Sequence, residues 1–390
     1  MSILVIESSE TQRKILKYFL KTGGYSDVIV VDSTRKAIVH LKKAPHYHSS
    51  KVDLILMDTT LPGMSGIEMC RQIKATEYLK DVPIIMLAGK TGQDKLKLAF
   101  AVGALDYITK PVQRVELIAR VGSLLQLKKE IDERKARERD ILESIRYAKM
   151  IQSSLFPNPE QTTKLLPNSF FIWIPRDIIS GDIYFVDFFK DGFIVAVIDC
   201  TGHGVPGGFM TMIASSGLRR IIHGEGGRNP SDILKRLNLI VKTTLQQDTD
   251  FALSDDGLDA AVCLVRPRHK SLVYAGARLP LYLVHQGKLK VIKADKQSLG
   301  YKRSDLKYNF KSHNIRIEEG MCFYMATDGY TDQLGGSRKR RFGTRRLKKL
   351  LLKTTSMSFP RQKKLFLDAF NKYKGGGARQ DDVTIVGFGV

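Results

Sequence analysis

Four short signatures, each built around an aspartate, constrain this chain more than any other feature of its sequence. They are spread over the C-terminal half, and apolar runs at 194–198 and 322–326 precede two of them. A carboxylate at the end of a buried strand is costly unless a cation meets it, and few basic residues stand next to these four. The signatures are Ser180-Gly181-Asp182, Asp199-Cys200-Thr201-Gly202-His203-Gly204, Ala326-Thr327-Asp328-Gly329-Tyr330 and Gln380-Asp381-Asp382-Val383-Thr384.

Taken singly, each aspartate could belong to a turn or cap a helix, as the Asp-Gly pair at 328–329 illustrates. Taken together, four carboxylates from distant parts of one chain favour hard metal ions, which prefer oxygen ligands. Two such ions about 3.5–4 Å apart are a common arrangement for phosphoester hydrolysis. The sequence therefore predicts a metal centre where the C-terminal strands stop.

In order and spacing, the four signatures resemble those of the PPM-type metal-dependent serine/threonine phosphatases, in particular the SpoIIE/RsbU branch. The resemblance covers about residues 150–390 and includes Tyr147-Ala148-Lys149-Met150-Ile151-Gln152 and Gly257-Leu258-Asp259-Ala260-Ala261. It implies an α-β-β-α sandwich for residues 157–390 and a site for two Mn²⁺ or Mg²⁺ ions. The implied ligands are Asp182 for one ion, Asp199 bridging both, the Cys200 carbonyl as a further ligand, and Asp328 and Asp381 for the other.

Weaker roles follow for four other residues. Asp382 ranks second within its signature, because its position often holds Asn in that family, and Asp259 is a candidate for a third ion or for supporting a ligand. Arg176 could bind phosphate through a bidentate guanidinium, or be a surface arginine. His203 could donate a proton to the leaving alkoxide, or cap a helix expected to begin near residue 209 after a glycine-rich loop.

Composition narrows the class of protein. A chain of 390 residues has room for two or three domains, and 43% hydrophobic residues is ordinary for a globular protein. No apolar run approaches the roughly 20 residues of a membrane span, and the N-terminus resembles a first strand more than a signal peptide. The four cysteines have no paired spacing. We therefore expect a cytoplasmic protein with reduced thiols and no membrane contact.

Residues 1–123 alternate short β-like runs with amphipathic helix-like runs. This pattern predicts a doubly wound parallel sheet whose site lies beyond the C-terminal strand ends, where Glu7, Asp58 and Lys110 stand. Three unconnected polar loop residues are the plainer alternative. The predicted strands are 2–6, 28–31, 52–57, 83–87 and 105–108, and the predicted helices are 9–22, 33–44, 66–76, 92–102 and one that starts at 112.

Two segments of this region resemble the most recognisable parts of response-regulator receiver domains. The resemblance implies that Asp58 is a phosphoacceptor, that Glu7 and Lys110 assist it with Mg²⁺ present, and that the Lys110-Pro111 bond is cis. It also implies a histidine kinase as a partner. The segments are Leu56-Met57-Asp58-Thr59-Thr60-Leu61-Pro62-Gly63-Met64-Ser65-Gly66 and Asp106-Tyr107-Ile108-Thr109-Lys110-Pro111.

Two positions depart from the receiver pattern. Ser8 replaces the second acid after the first strand, normally a Mg²⁺ ligand, and Ala88 replaces the hydroxyl residue that ends the fourth strand. The lost hydroxyl removes one hydrogen bond to a charged group, worth about 1.5–3 kcal/mol. We therefore predict an atypical receiver in which Mg²⁺ binding is weakened and phosphorylation of Asp58 is doubtful.

Residues 124–156 are predicted to form a helical linker. Only Gly122 interrupts a run without Pro or Gly from 112 to 156, and Pro157-Asn158-Pro159 ends it. The helix could lie on its own domain, but we favour a parallel coiled coil joining two chains into a homodimer. The predicted heptad seam is Leu127, Ile131, Arg134, Glu138, Ile141, Ile145, Ala148, Gln152 and Leu155.

The net charge of +23 is concentrated in the C-terminal domain, and one segment stands out. Between 335 and 364 there are 12 basic residues and no acidic residue. Such a segment, spanning 338–364, could contact nucleic acid, an anionic membrane or an acidic protein, or be a solvated surface. Aromatic residues are sparse and no DNA-binding motif is visible, so we do not expect nucleic acid as a partner.

These observations combine into a functional hypothesis. Domains at 1–123, 124–156 and 157–390 would form a receiver, a linker and a phosphatase that dephosphorylates serine or threonine on a protein. By family analogy that protein is an anti-sigma-factor antagonist. One alternative is a catalytically silent partner-binding response regulator. Another, a nucleotide cyclase, fits only the segment 180–184 and none of the other signatures.

Overall fold

The computed structural model describes residues 1–43, 52–89, 93–354 and 356–390. The chain divides into two compact units, Met1–Ile141 and Leu142–Val390. In the described part of the chain, no helix combines the length and the apolar character needed to cross a lipid bilayer.

The first unit contains the predicted parallel sheet, in the strand order β2-β1-β3-β4-β5. One core packs its strands against α2, α3 and α4, and a second packs them against α1 and the start of α5. The predicted ends agree to within two residues, except that the ends predicted at 44 and 92 lie outside the described residues. The elements are β1 (Ser2–Ile6), α1 (Glu10–Thr22), β2 (Asp27–Val31), α2 (Thr34–Lys43), β3 (Val52–Asp58), α3 (Gly66–Ala75), β4 (Ile84–Ala88), α4 (Gln93–Ala101), β5 (Asp106–Thr109) and α5 (Arg114–Ser153).

Helix α5 is the predicted long helix, and its 40 residues extend from the first unit into the second. Leu117, Val121 and Leu125 bury its first turns in the receiver core. Lys128, on the next turns of the helix, is buried and pairs with Asp132. This burial shows that the start of the linker still packs on the first unit.

The last two positions of the predicted seam contact the second unit instead of a partner chain. Gln152 is buried: its Nε2 donates to the Ser180 carbonyl (2.6 Å) and to Thr211 Oγ1 (2.9 Å), and its Oε1 accepts from the Ser180 N–H (3.1 Å). Leu155 packs against the core of the same unit. The sequence showed heptad spacing but not this use of Gln152, so the prediction of a seam is wrong at its C-terminal end.

The second unit is the predicted α-β-β-α sandwich. Its two antiparallel sheets have the orders β13-β10-β9-β8-β7 and β12-β11-β14-β17-β6. The elements are α6 (Pro159–Leu165), β6 (Ser169–Ile174), β7 (Asp182–Phe189), β8 (Gly192–Cys200), α7 (Gly204–Arg219), α8 (Pro230–Thr244), β9 (Leu258–Arg266), β10 (Ser271–Ala277), β11 (Leu281–His285), β12 (Lys288–Ile292), β13 (His313–Arg316), β14 (Cys322–Ala326), α9 (Gly329–Asp332), β15 (Leu334–Gly335), β16 (Arg340–Arg341), α10 (Thr344–Lys353), α11 (Phe359–Lys374) and β17 (Val383–Gly389).

Three apolar layers hold the sandwich together. Alternating strand residues such as Val197, Ala261 and Phe388 fill the layer between the sheets. The opposite face of the first sheet packs under α7 and α8, and that of the second sheet packs under α10 and α11. In α10, Leu347, Leu350 and Leu351 face this core, which leaves the basic residues of the helix exposed.

Candidate functional site

Three aspartates stand side by side on adjacent strands. Asp182 on β7 is the register partner of Asp199 on β8, and Asp199 is the register partner of Asp259 on β9. Directly opposed residues in an antiparallel ladder point to the same face of the sheet. Their chain neighbours Ile198 and Ala260 belong to the core under α7 and α8. The three carboxylates, called the carboxylate row below, therefore lie on the face toward the second sheet.

The second sheet brings Asp328 and Asp381 to the same edge. Asp328 follows β14 and Asp381 precedes β17, and these strands pair antiparallel with Ala326 opposite Ile385. The expectation that all four aspartates stand where strands stop is wrong for Asp182 and Asp381, which stand where strands begin. In antiparallel sheets, the start of one strand meets the end of its neighbour, so the acids still converge.

A threonine joins the two sheets at this edge. Thr327 Oγ1 donates to Asp182 Oδ2 (2.7 Å) and accepts from the Thr384 N–H (3.0 Å). The Thr327 N–H in turn donates to the Thr384 carbonyl (3.0 Å). This buried network orients Asp182 from the opposite sheet.

Asp382 differs from Asp381 in what its carboxylate does. Both of its oxygens accept backbone N–H groups, Oδ1 from Arg176 (2.7 Å) and Oδ2 from Gly181 (2.6 Å). Asp382 is buried, whereas Asp381 is exposed. The structure therefore makes Asp382 a residue that positions the Gly181-Asp182 turn and leaves Asp381 the better candidate ligand.

The glycines near the site allow close packing. A Cβ on Gly207 would lie 2.4 Å from the Gly202 carbonyl oxygen and 2.7 Å from Gly181 Cα. The helix begins at Gly204, not near 209 as predicted, so Gly207 lies in its first turn. Glycine suits this position because the first turn of the helix approaches the Gly181 backbone so closely that a side chain would clash.

The side chains of His203 and Arg176 form no hydrogen bond or ion pair with Asp182, Asp199, Asp328 or Asp381 in the described part of the chain. His203 occupies the N-cap position of α7 but makes no side-chain cap bond; its Nδ1 instead lies 2.6 Å from Asp177 Oδ2. The Arg176 side chain is exposed. The proposed acid role of one and phosphate-binding role of the other stay predictions.

Burial and mutual repulsion raise the pKa of several of these acids. Burial raises the pKa of Asp182 well above its usual value, with Asp382 and Asp381 adding to the effect and the Thr327 bond opposing it. Burial, then the charges of Asp182 and Asp328, raise that of Asp199 well above its usual value. Desolvation, then Asp332 and Asp381, raise the pKa of Asp328 to about 6. A compensating positive charge would stabilise the ionised forms of all three.

The residues present fit divalent cations. Every candidate side-chain ligand supplies carboxylate oxygen, the donor that Mg²⁺ and Mn²⁺ prefer. In addition, Asp259 Oδ1 is buried and has no hydrogen-bond partner. Within the described ranges, no three His, Cys, Asp or Glu side chains are already grouped closely enough to hold one ion. The site is thus a convergent set of acids and not a preformed ligand cage.

Sequence reasoning missed several residues around the row. Tyr301, whose hydroxyl lies 2.6 Å from Thr201 Oγ1, and Arg303 lie in a loop without any motif, and Arg278 follows β10. Of the residues that contact these acids, Thr327 could have been found from the sequence, since it precedes Asp328 in one of the four signatures. The others reach the site through pairing between distant segments, which no local pattern reveals.

The receiver acids also converge, as predicted. Lys110 Nζ lies 2.7 Å from Glu7 Oε2 and 2.8 Å from Asp58 Oδ2. Asp58 Oδ1 accepts from the N–H and hydroxyl of Thr60, and Glu7 Oε1 accepts from the Ser9 N–H. The Lys110-Pro111 bond is cis, as expected. Each carboxylate oxygen of Glu7 and Asp58 is therefore already engaged by the chain.

A parallel receiver sheet followed by an antiparallel sandwich with converging acids defines a response-regulator receiver fused to a PP2C-type domain. The family model for the response regulator receiver domain matches residues 3–122, and that for stage II sporulation protein E (SpoIIE) matches residues 190–390. The chain therefore belongs to the SpoIIE family and carries an N-terminal receiver domain.

Individual relatives agree with this assignment. The SiaA-PP2C domain of Pseudomonas aeruginosa is 31% identical, with a TM-score of 0.60 over 65% of this chain and 99% of that one. In the receiver, the chemotaxis protein CheY of P. aeruginosa is 31% identical over 126 residues, 32% of this chain and 97% of CheY. The phosphate regulon regulator PhoB of P. aeruginosa is 36% identical over 125 residues, again 32% of this chain. The chain spans about half the length (52%) of PhoB.

Proposed function

We propose that the second unit is a metal-dependent protein serine/threonine phosphatase of the PPM type. The observation that carries the proposal is the carboxylate row, which has Asp328 and Asp381 beside it. No Lys, Arg or His forms an ion pair with these five acids in the described part of the chain. Acids that cluster without an ion-paired cation suit a site whose positive charge comes from bound ions.

Asp182, Asp199, Asp328, Asp381 and the Cys200 carbonyl would hold two Mn²⁺ or Mg²⁺ ions, with Asp259 available for a third. When bound, such ions lower the pKa of water and neutralise charge on a phosphoryl group. Asp382 and Thr327 keep the Asp182 signature in place through the bonds described above. No covalent phosphoenzyme and no nucleophilic cysteine are needed.

His203 is the proposed proton donor. Its Nδ1 faces Asp177, so Asp177 would fix the orientation of the ring, which leaves Nε2 to protonate a leaving serine or threonine oxygen. Both side chains are exposed, so a substrate could reach them.

The substrate class follows from the family. We propose a phosphoserine or phosphothreonine on a protein, an anti-sigma-factor antagonist being the leading candidate, and a histidine kinase as a partner of the receiver. The part of the seam from Leu127 to Ala148 would join two chains. Ile141 supports this, because it is a large apolar side chain with 61% of its surface exposed.

The test is hydrolysis of para-nitrophenyl phosphate by the full chain with Mn²⁺ or Mg²⁺ added singly. We expect metal-dependent release of nitrophenol that EDTA abolishes and excess metal restores. A chain that binds Mn²⁺ in calorimetry but hydrolyses neither this ester nor a phosphoserine peptide would support the alternative of a catalytically silent, partner-binding regulator.

A further inference from the structure

Two arginines that no motif marks, Arg278 and Arg303, lie on the Asp259 side of the carboxylate row. Arg278 follows β10 and forms a β-bridge with Ala260, the residue after Asp259. On the other side of Asp259, the Leu258 N–H donates to the Leu299 carbonyl (2.9 Å), which starts the loop that carries Arg303. Backbone pairing thus brings both arginines to one flank of the row.

Arg278 has an unusual backbone conformation. Its φ of 63° lies in the left-handed region, where residues other than glycine are uncommon. Its N–H donates to the Asp295 carbonyl (2.8 Å), and the Asp295 N–H donates to the Gly276 carbonyl (2.9 Å). Such conformations persist where the surrounding structure over-determines them, and they cluster at functional sites. The backbone from which the Arg278 side chain extends is therefore conformationally constrained.

Arg303 is supported by a tyrosine. Its guanidinium carbon lies 5.7 Å from the ring centre of Tyr301. That ring covers Gly257, where a Cβ would come within 2.3 Å of it, and the Tyr301 hydroxyl bonds to Thr201, two residues after Asp199. A cation over an aromatic face is stabilised without neutralising its charge. Arg303 therefore keeps its charge beside the Asp199 signature.

Both guanidinium groups have hydrogen-bonding capacity left. Two other arginines near the acids are engaged: Arg341 pairs with Asp332 (2.9 Å), and Arg379 donates to the Arg176 carbonyl (3.3 Å). Arg278 and Arg303 are exposed, and neither makes a side-chain hydrogen bond or an ion pair with any described residue. Their charges still reach the row, where they oppose the rise in the pKa of Asp259 that burial causes.

We propose that Arg278 and Arg303 form a substrate-binding pair that holds anionic oxygens of the substrate beside the carboxylate row. The planar fork of a guanidinium matches two oxygens of a phosphoryl or carboxylate group. Those oxygens come either from the phosphoryl group itself or from an acidic side chain next to the phosphoserine. The proposal rests on the proposed phosphatase function and assigns its specificity to residues outside the four signatures.

The test compares Arg278→Asn, Arg303→Ala and the double variant with the wild-type chain. Asn tolerates the left-handed region, so it removes the guanidinium without straining residue 278. Conservative Arg278→Lys and Arg303→Lys variants keep the charge but lose the fork. Arg268→Ala is the matched control, because Arg268 is an exposed arginine beyond the opposite end of β9.

Two kinds of substrate distinguish the source of the anionic oxygens. If the pair binds the phosphoryl group, KM for para-nitrophenyl phosphate and Ki for inorganic phosphate should rise about 10- to 100-fold in the double variant. In that case kcat changes less, and the Lys variants recover part of the loss. If the pair binds an acidic neighbour, these constants hold, and only the preference for a phosphoserine peptide with adjacent Glu over one with Gln disappears. Arg268→Ala should change neither.

Double-variant protein that melts at the wild-type temperature and shows wild-type KM, Ki and peptide preference would overturn the proposal. Calorimetric titration of inorganic phosphate with Mn²⁺ present tests the arginine pair independently of the phosphatase assignment, because binding is measured without turnover. If the wild-type chain hydrolyses nothing, the phosphatase assignment fails. Loss of phosphate binding, or of tighter binding to the Glu peptide than to the Gln peptide, in the double variant would then still support the pair. Equal binding of phosphate and of both peptides by the two proteins would reject it.

Discussion

The two acid clusters of this chain solve the same electrostatic problem in opposite ways. In the receiver, Glu7 and Asp58 are buried, and one chain cation, Lys110, lies within 2.8 Å of both. In the sandwich, Asp182, Asp199 and Asp259 face one another with no such partner among the described residues. Lys110 offsets one of the two negative charges of the first cluster, whereas the second cluster has no ion-paired cation among the described residues. The receiver acids are therefore partly neutralised from within the chain, and the sandwich acids are not.

The pKa directions express this difference. Burial lowers the pKa of Lys110, but its bonds to Asp58 and Glu7 outweigh burial and raise it overall. Burial and neighbouring acids raise the pKa of Asp182, Asp199 and Asp328. The receiver arrangement thus stabilises the charged form of Lys110, and the sandwich arrangement destabilises the charged forms of its aspartates.

The largest expected effect comes from the middle of the carboxylate row. Asp199→Asn removes the carboxylate that neighbours both Asp182 and Asp259, so metal-dependent hydrolysis should fall on the order of 10³-fold. The fold should persist, since the change relieves repulsion. Turnover of para-nitrophenyl phosphate and a melting curve measure the two consequences. If the variant, free of contaminating phosphatase, turns over nearly as fast as the wild-type chain, the carboxylate row is not the metal site that we propose.

The next effect concerns how the receiver communicates. Because Ser8 and Ala88 remove two groups that receivers use in phosphorylation, we expect the receiver to act through α5 more than through chemistry at Asp58. Ile141→Asp combined with Ile145→Asp would place like charges at each layer of a dimer and weaken self-association about tenfold or more. Sedimentation measures the association, and phosphatase turnover should change severalfold with it. A monomeric wild-type chain would contradict the proposal, and Glu143→Asp is a control on the same exposed helix.

A smaller effect is expected from the exposed basic segment. Arg338 and Arg340 belong to the region beside Asp332, and Lys348 lies on the exposed face of α10. Changing these three to Glu should slow hydrolysis of an acidic phosphoprotein severalfold at low salt, because exposed charges are screened as salt rises. A small phosphoester should be hydrolysed as before. Equal losses on both substrates would argue against steering, and tight binding of duplex DNA would assign the segment another partner.

The pH dependence of stability should separate the two units by a few degrees in melting temperature. In metal-free protein, the folded pKa of Asp328, about 6, lies above its usual value, so the folded state gains stability as pH falls through 6 and loses it as pH rises. Mn²⁺ should abolish this loss, and Asp328→Asn should reduce it. Lys110 changes stability in the same direction but in an alkaline range: its stabilisation is present at neutral pH and is lost as pH rises through its raised pKa. Calorimetry from pH 4 to 8 would show whether only the sandwich transition moves.

The smallest effect should follow Asp58→Asn, which we expect to change phosphatase turnover by less than about twofold. Ser8 and Ala88 remove two groups that receivers use to bind Mg²⁺ and phosphoryl oxygens, so the switch lacks part of its chemistry. Beryllofluoride with Mg²⁺ tests this directly. Tight binding with a large change in turnover, abolished by Asp58→Asn, would show that the receiver switches conventionally.

How much the sequence could predict depended on whether the signal was local. Receiver strands were placed to within one residue, because runs such as Ile3 to Ile6 and Leu54 to Met57 are apolar and bounded by polar turns. The aspartate signatures predicted the convergent acids. However, the order of Asp182, Asp199 and Asp259 across the strands depends on sheet register, which the sequence does not reveal. The positions of Arg278 and Arg303 depend on pairing between distant segments, so the sequence did not predict them either. Gln152 looked like a polar seam position because heptad spacing does not say which surface covers it.

Gln152 has a mechanical consequence. Its side-chain amide makes two opposed hydrogen bonds to the backbone of Ser180, in the manner of one rung of a β-ladder, and Ser180 lies two residues before Asp182. Ser180 lies in the segment between β6 and β7, so these bonds tie the last turn of α5 to the backbone just before β7. A displacement of that helical turn would therefore be passed to Asp182, the first metal-ligand candidate, through direct hydrogen bonds.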